Sequence, residues 1–178
     1  MEIRRLTAAD AVEYRALRLR ALREHPEAFT SSWEEDAGKP LSVSEARLAD
    51  DRQTFWGAFE HGALCGVVGL ERLPRAKERH KGWVVGMYVA PEAAGRGCGT
   101  ALLDALLARA RAEGVQDLLL TVTEGNDGAL RCYRRAGFAS FGVEPRAVWV
   151  EGRFHGKVHM HLQLERGVGI RGAGLDDV

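Results

Sequence analysis

The sequence predicts a mixed α/β domain: one twisted, mostly antiparallel sheet flanked by about four helices. Three observations lead there. A set of three short apolar runs rich in β-branched and aromatic residues, "TFWGAF", "ALCGVVGL" and "GWVVGMYV", reads as an antiparallel meander. Beyond it, two segments with helical spacing flank a single apolar run, "DLLLTVT", so crossovers complete the sheet. The chain has 178 residues, 46% hydrophobic and 28% charged, which suits one core and would cramp two.

In chain order, "MEIRRL" alternates as a short strand does. Thr7 and Asp10 form a capping pair ahead of apolar Val12, Tyr14, Leu17, Ala21 and Leu22, an amphipathic helix that Pro26 stops. "EAFTSSWEED" is polar with two aromatics and reads as a surface loop on the substrate side. A shorter helix starts at Ser42, with Glu45 three residues on. The meander follows, its first turn at His61 and Gly62, and the charged "ERLPRAKERHK" reads as a connection or a frayed strand end. Thr100 to Glu113 is helical, with leucines at 102, 103, 106 and 107 and Gly114 as its C-cap. "DLLLTVT" is a buried-type strand. Asn126 and Asp127 start the helix "GALRCYRRA", which Gly137 closes. Two strands then turn at Glu151 and Gly152. The order is β, α, α, βββ, α, β, α, ββ, in one domain over residues 1–166. The Gly-rich residues 167–178 are expected to be disordered.

Acidic and basic residues balance at 25 each, so no overall field draws the protein to nucleic acid or to an anionic membrane. Cys65, Cys98 and Cys132 have neither metal-ligand spacing nor the even number of a disulfide framework, which fits a reducing cytoplasm. No apolar run approaches the roughly 20 residues of a membrane span. His159 and His161 share one face of a strand, a spacing open to a metal, but a solvent-facing pair opposite Val158, Met160 and Leu162 is the simpler account, and no metal is expected.

"VAPEAAGRGCGTALLDALL" runs from strand through glycines into helix. That arrangement leaves several backbone N–H groups unpaired ahead of a helix dipole, which is a phosphate-binding geometry. Side chains at Gly95, Gly97 and Gly99 would block an approaching oxygen, and glycine also permits positive φ. A tight turn without ligand is the alternative. A Walker A loop is excluded by the missing Gly-Lys-Ser/Thr, and the spacing is not that of the dinucleotide fingerprint.

"MYVAPEAAGRGCGTALL" followed by "NDGALRCYRRAGF" resembles the two signature segments of the GNAT (Gcn5-related N-acetyltransferase) superfamily, with the likeness running from about Ile3 to Leu164. The resemblance implies a sheet splayed between its fourth and fifth strands, acetyl-CoA as cosubstrate, and a primary amine of a small molecule or a protein as acceptor, attacked directly in a ternary complex. It implies that the amides of Gly95, Arg96, Gly97, Cys98, Gly99 and Thr100 hold the pyrophosphate, and that Met87, Tyr88 and Val89 offer amides to the thioester carbonyl. Asn126, Ala129 and Tyr133 lie along the pantetheine arm. Cys98 is a small residue at the helix N-terminus, where a thiol pKa falls. Tyr133 stands at the general-acid position; by itself it reads as a core aromatic, and Asn126 by itself as an N-cap. The family loop usually begins with Arg or Gln, and here that position is Ala94, which shifts contacts toward Arg96. The general base is sought among Glu34, Glu35, Glu71, His80 and Glu124, with Glu35 and Glu124 ranked first. The acidic Glu34, Glu35 and Asp36 suggest a cationic acceptor, and a homodimer stays open. A non-catalytic acyl-CoA-binding module with the same fold is the competing class.

Overall fold

The computed structural model describes residues 1–164, so the expected disordered tail and the boundary at 166 lie outside the described residues. One sheet of seven strands runs in the order β1-β2-β3-β4-β5-β7-β6. The strands are β1 (Glu2–Arg5), β2 (Gln53–Glu60), β3 (Ala63–Arg72), β4 (Lys81–Val89), β5 (Asp117–Thr123), β6 (Ala139–Val150) and β7 (Arg153–Gln163). The α-helices are α1 (Ala11–Glu24), α2 (Trp33–Ala37), α3 (Leu41–Ala49), α4 (Cys98–Ala112) and α5 (Asp127–Arg135). Only β4 and β5 pair in parallel, because α4 crosses over between them; every other pairing is antiparallel.

Period-2 side-chain alternation splits the core into two. On one face α1 and α3 set Tyr14, Leu17 and Leu48 against Phe55, Phe59 and Val67. On the other, the leucine stripe of α4 packs on Val68, Leu70, Val84, Leu118 and Leu120. Leu102, Leu103, Leu106 and Leu107 are buried, each contributing about 1.5–3 kcal/mol of transfer free energy. α5 adds Leu130 and Tyr133 to this second core.

The stretch expected to be a loop around Ser32 contains α2. Its cause is a capping box: Glu35 N–H donates to Ser32 Oγ at 3.2 Å, and Ser32 N–H donates to Glu35 Oε2 at 2.8 Å. α3 starts at Leu41 rather than Ser42, with Pro40 at its N-cap. α4 starts two residues early, at Cys98, because the left-handed Gly97 is its N-cap. Among the described residues no helix is long and apolar enough to cross a membrane.

Candidate functional site

β4 and β5 are joined only at Lys81 with Asp117, Gly82 with Leu118 and Trp83 with Leu119. Beyond Trp83 they part, and the remainder of β5 pairs with β7 alone. A bulge in β4 accounts for the parting. Tyr88 pairs with Val67 and Val85 with Gly69, so Gly86 and Met87 together oppose Val68. The extra residue bends the strand, and Gly86 takes φ +62 to make it. A Cβ there would meet only Phe55 at 3.6 Å, so glycine is required for its backbone rather than for space. Ala90 N–H donates to Cys65 O at 2.8 Å, and alternation along the strand then turns the Val89 amide toward the gap.

A cavity of about 330 Å³ passes through this gap. On the α5 side it is bounded by Met87, Val122, Asn126, Ala129 and Tyr133. On the α1 and α3 side it is bounded by Arg18, Phe29, Arg47, Glu71, Trp83 and Lys157, among others. Tyr133 is 6% exposed and packs edge-on against Phe138 at 5.8 Å. Burial raises its pKa above the ordinary tyrosine value, so the hydroxyl stays protonated at neutral pH. Asn126 Oδ1 accepts the Ala129 N–H at 3.1 Å, which makes it the α5 N-cap while it also lines the cavity.

Next to the gap, the amides from Gly95 to Thr100 have no protein acceptor among the described residues; the first bonded amide is that of Ala101, which donates to Gly97 O at 3.0 Å. Gly95 and Gly97 have φ of +73 and +81, and a Cβ on either would enter open space. Six free donors at the start of a 15-residue helix form an anion cradle made of backbone. Two cations beside it are already engaged. Arg96 donates to Glu60 at 2.8 Å, and Arg20 grips Glu92 with two bonds of 2.6 and 2.9 Å.

Several expected residues stand differently. A methyl group on the Gly99 Cα would stand 3.3–3.8 Å from Met87, Cys132 and Val89, so this glycine lets α4 approach β4 and α5 and leaves ligand clearance to Gly95 and Gly97. The Cys98 thiol points into the core at 1% exposure, where burial and then Cys65 push its pKa up to about 12, reversing the expected fall. Tyr88 is turned away: its hydroxyl donates to Glu24 Oε2 at 2.5 Å on the α1 face. Glu35 is occupied as the α2 cap, Glu124 is exposed against Gly156, and neither lines the cavity. Asp36 pairs with Arg18 and Lys39, so it offers little to a cationic acceptor. His159 pairs with Glu144 at 3.1 Å and His161 with Asp117 at 2.7 Å. Glu71 is the one carboxylate among the described residues lining the cavity.

Lys157 was not anticipated. It is 4% exposed, and its Nζ donates to Ala28 O at 2.8 Å, Thr123 Oγ1 at 3.0 Å and Glu27 O at 3.1 Å. Desolvation lowers its pKa. These bonds pin the segment after α1 to the diverging end of β5.

A sequence model described as the acetyltransferase (GNAT) family matches residues 17–138. The N-alpha-acetyltransferase RimI of Mycobacterium tuberculosis is 36% identical over 64% of this chain and 69% of its own. The mycothiol acetyltransferase of Geodermatophilus obscurus is 33% identical over 70% of this chain and 40% of its own. This chain spans less than half the length of several curated relatives it matches. In fold it is similar to a putative acetyltransferase from Salmonella typhimurium solved with its cofactor acetyl-CoA, at TM-score 0.78 and 22% identity over 97% of this chain and 99% of the other.

Proposed function

The chain belongs to the GNAT family of acetyltransferases, and on that premise we propose that it moves the acetyl group of acetyl-CoA to a primary amine of a small molecule or a protein, in a ternary complex. The observation that supports this reading is the run of unbonded amides at the start of α4, whose Gly99 lies against Met87, a residue of the same cavity wall as Tyr133 at the β4–β5 gap. The diphosphate sits on the amides of residues 95–100, and the pantetheine arm takes the place of the missing strand neighbour along β4. The Val89 amide polarises the thioester carbonyl. The amine nitrogen forms the new C–N bond from the α1 and α3 side, the C–S bond breaks, and the departing thiolate takes the proton of Tyr133. Glu71 receives the proton that the amine gives up, in preference to Glu35 and Glu124.

An α-amine near pKa 8 loses its proton at pH 7 for about 1–1.5 kcal/mol, whereas a lysine near 10.4 requires about 4–5. One carboxylate is adequate for the first, which is the amine of a peptide terminus; the amine of a free amino acid lies between the two, because its own carboxylate favours the ammonium form. The three free cysteines favour a cytoplasmic setting. The experiment is a thiol-release assay with acetyl-CoA and pooled amines, peptides and polyamines, with products identified by mass. Acceptor-dependent CoA release with a matching acetyl adduct is expected. Binding of CoA without release for any acceptor would favour the non-catalytic module.

A further inference from the structure

The acceptor half of the cavity is lined by three cations and one carboxylate: Arg18, Arg47, Lys157 and Glu71. Two of the cations are already engaged. Arg18 donates from Nε to Asp36 at 3.0 Å and from Nη2 to Ser31 Oγ at 2.8 Å. Lys157 directs its ammonium to two carbonyl oxygens and a hydroxyl. Arg47 differs. Its Nε donates to Gln53 Oε1 at 3.2 Å and its guanidinium lies 5.1 Å over the Phe55 ring, which fixes the plane of the group. Among the described residues nothing accepts from its Nη1 or Nη2. Glu71 is likewise without an ion-pair partner among the described residues.

A half-buried guanidinium held flat, with two parallel donors free and a cavity in front of it, has the geometry of a bidentate carboxylate receptor. Asp36 is shared between Arg18 and Lys39, so the wall keeps a net positive charge even with Glu71 set against Lys157. The nucleophilic form of an aminocarboxylate, a neutral amine joined to a carboxylate, carries one negative charge. The cavity at the gap, about 330 Å³, lies at the small end of ligand sites, roughly 300–1,000 Å³, and at Phe29, Thr30 and Ser31 it adjoins a cleft of about 720 Å³. We propose that the acceptor is a small aminocarboxylate, a free amino acid or a close analogue, whose carboxylate is bound by Arg47 and whose amine is presented beside Glu71. This rests on the acyl-transfer reading and specifies its acceptor.

The test compares free acids with their amides. Purified full-length protein is assayed by thiol release with the common L-α-amino acids, β-alanine and 4-aminobutyrate, each beside its carboxamide and beside a dipeptide with the same N-terminal residue. For the preferred acid, kcat/KM calculated on the unprotonated amine is expected to exceed that of its amide by roughly 30-fold or more, since two charge-assisted bonds are lost in the amide. Arg47→Gln is expected to collapse that ratio toward one, and its melting curve reports whether the loss over Phe55 has unfolded it; the acid-to-amide ratio of the unaltered protein does not depend on the variant. Peptides or amides acetylated as fast as the free acids overturn the proposal while leaving the acetyltransferase reading intact. If no amine releases thiol, calorimetry of the same acids and amides against the protein with CoA bound decides: selective binding of an acid supports the proposal, and binding of none overturns it.

Discussion

Gly97→Val tests the backbone cradle directly. Gly97 has φ +81 and nothing within 4 Å of the position its Cβ would occupy, so the added side chain meets no protein and projects into the volume assigned to the diphosphate. Two costs follow and they are separable. A left-handed backbone costs a β-branched residue about 1–2 kcal/mol, a fall of about 2–8 °C in Tm for a chain of this size. Displacing the diphosphate from even two of the six amides forfeits about 1.5–3 kcal/mol for each charge-assisted bond, or roughly 10²- to 10⁴-fold in Kd for CoA. Gly62 supplies the control, since it has φ +80, equally open surroundings, and a place in the β2–β3 turn. Gly62→Val should match the loss in Tm and bind CoA normally. Calorimetric titration of CoA and thermal melts of both variants make the comparison. If Gly97→Val keeps its CoA affinity within threefold while melting like Gly62→Val, the cradle does not hold the diphosphate and the site assignment fails.

Tyr133→Phe removes only the hydroxyl, and kcat should fall by about 10²- to 10⁴-fold with CoA affinity nearly unchanged; full activity would remove Tyr133 as the acid. Lys157→Met leaves Glu27 O, Ala28 O and the Thr123 hydroxyl without their shared donor, and should cost roughly 2–4 kcal/mol, read as a Tm lower by on the order of 5–15 °C. In native protein at pH 8, the half-buried Cys132 should react with a thiol reagent well ahead of Cys65 and Cys98, the last held back by burial and a pKa of about 12; a fast reaction at Cys98 would contradict its inward orientation.

The backbone features, a glycine turn running into a leucine-striped helix and a glycine in the bulged strand, were legible in the sequence, although glycine spacing ahead of a helix by itself also fits a tight turn without ligand. The parts made of side chains were less so. Cys98 could have been placed correctly, since it shares a helical stripe with Leu102 and Leu106 and is buried with them. Expecting its thiol to feel the helix N-terminus, with a lowered pKa, overlooks that period. Glu71 sits at the end of an apolar run next to a charged connection, where a solvated carboxylate is the expected reading; its pairing with Trp83 and the packing of α3 bring it to the cavity, and neither is local in sequence. Lys157 lies on the His159 side of a strand whose other residues meet solvent, and only the return of residues 27 and 28 covers it. The Ser32 to Glu35 capping signal was present but stood inside a stretch whose polar composition suggested a loop.

Charge is apportioned unevenly between the two halves of the site, and this explains how a chain with no net charge handles an anionic cosubstrate. Beside the cradle Arg20 is neutralised by Glu92 and Glu24, and Arg96 by Glu60. In the proposed complex the diphosphate therefore depends on fixed N–H dipoles, whose orientation is set by α4 and costs no side-chain ordering on binding. Ala94 in place of the family's usual Arg or Gln is tolerable for that reason: one side-chain contact is lost and six main-chain donors remain. Side-chain charge is left for the opposite half, where Arg47 and Glu71 face the same small volume. That half is bounded by the segment after α1, which is held by Lys157, by the Thr123 hydroxyl on Glu27 O at 2.9 Å, and by Arg18 reaching Ser31 and Asp36. Replacing those anchors would move the acceptor wall and leave the cradle in place, so acceptor choice and CoA affinity are separable properties of this fold.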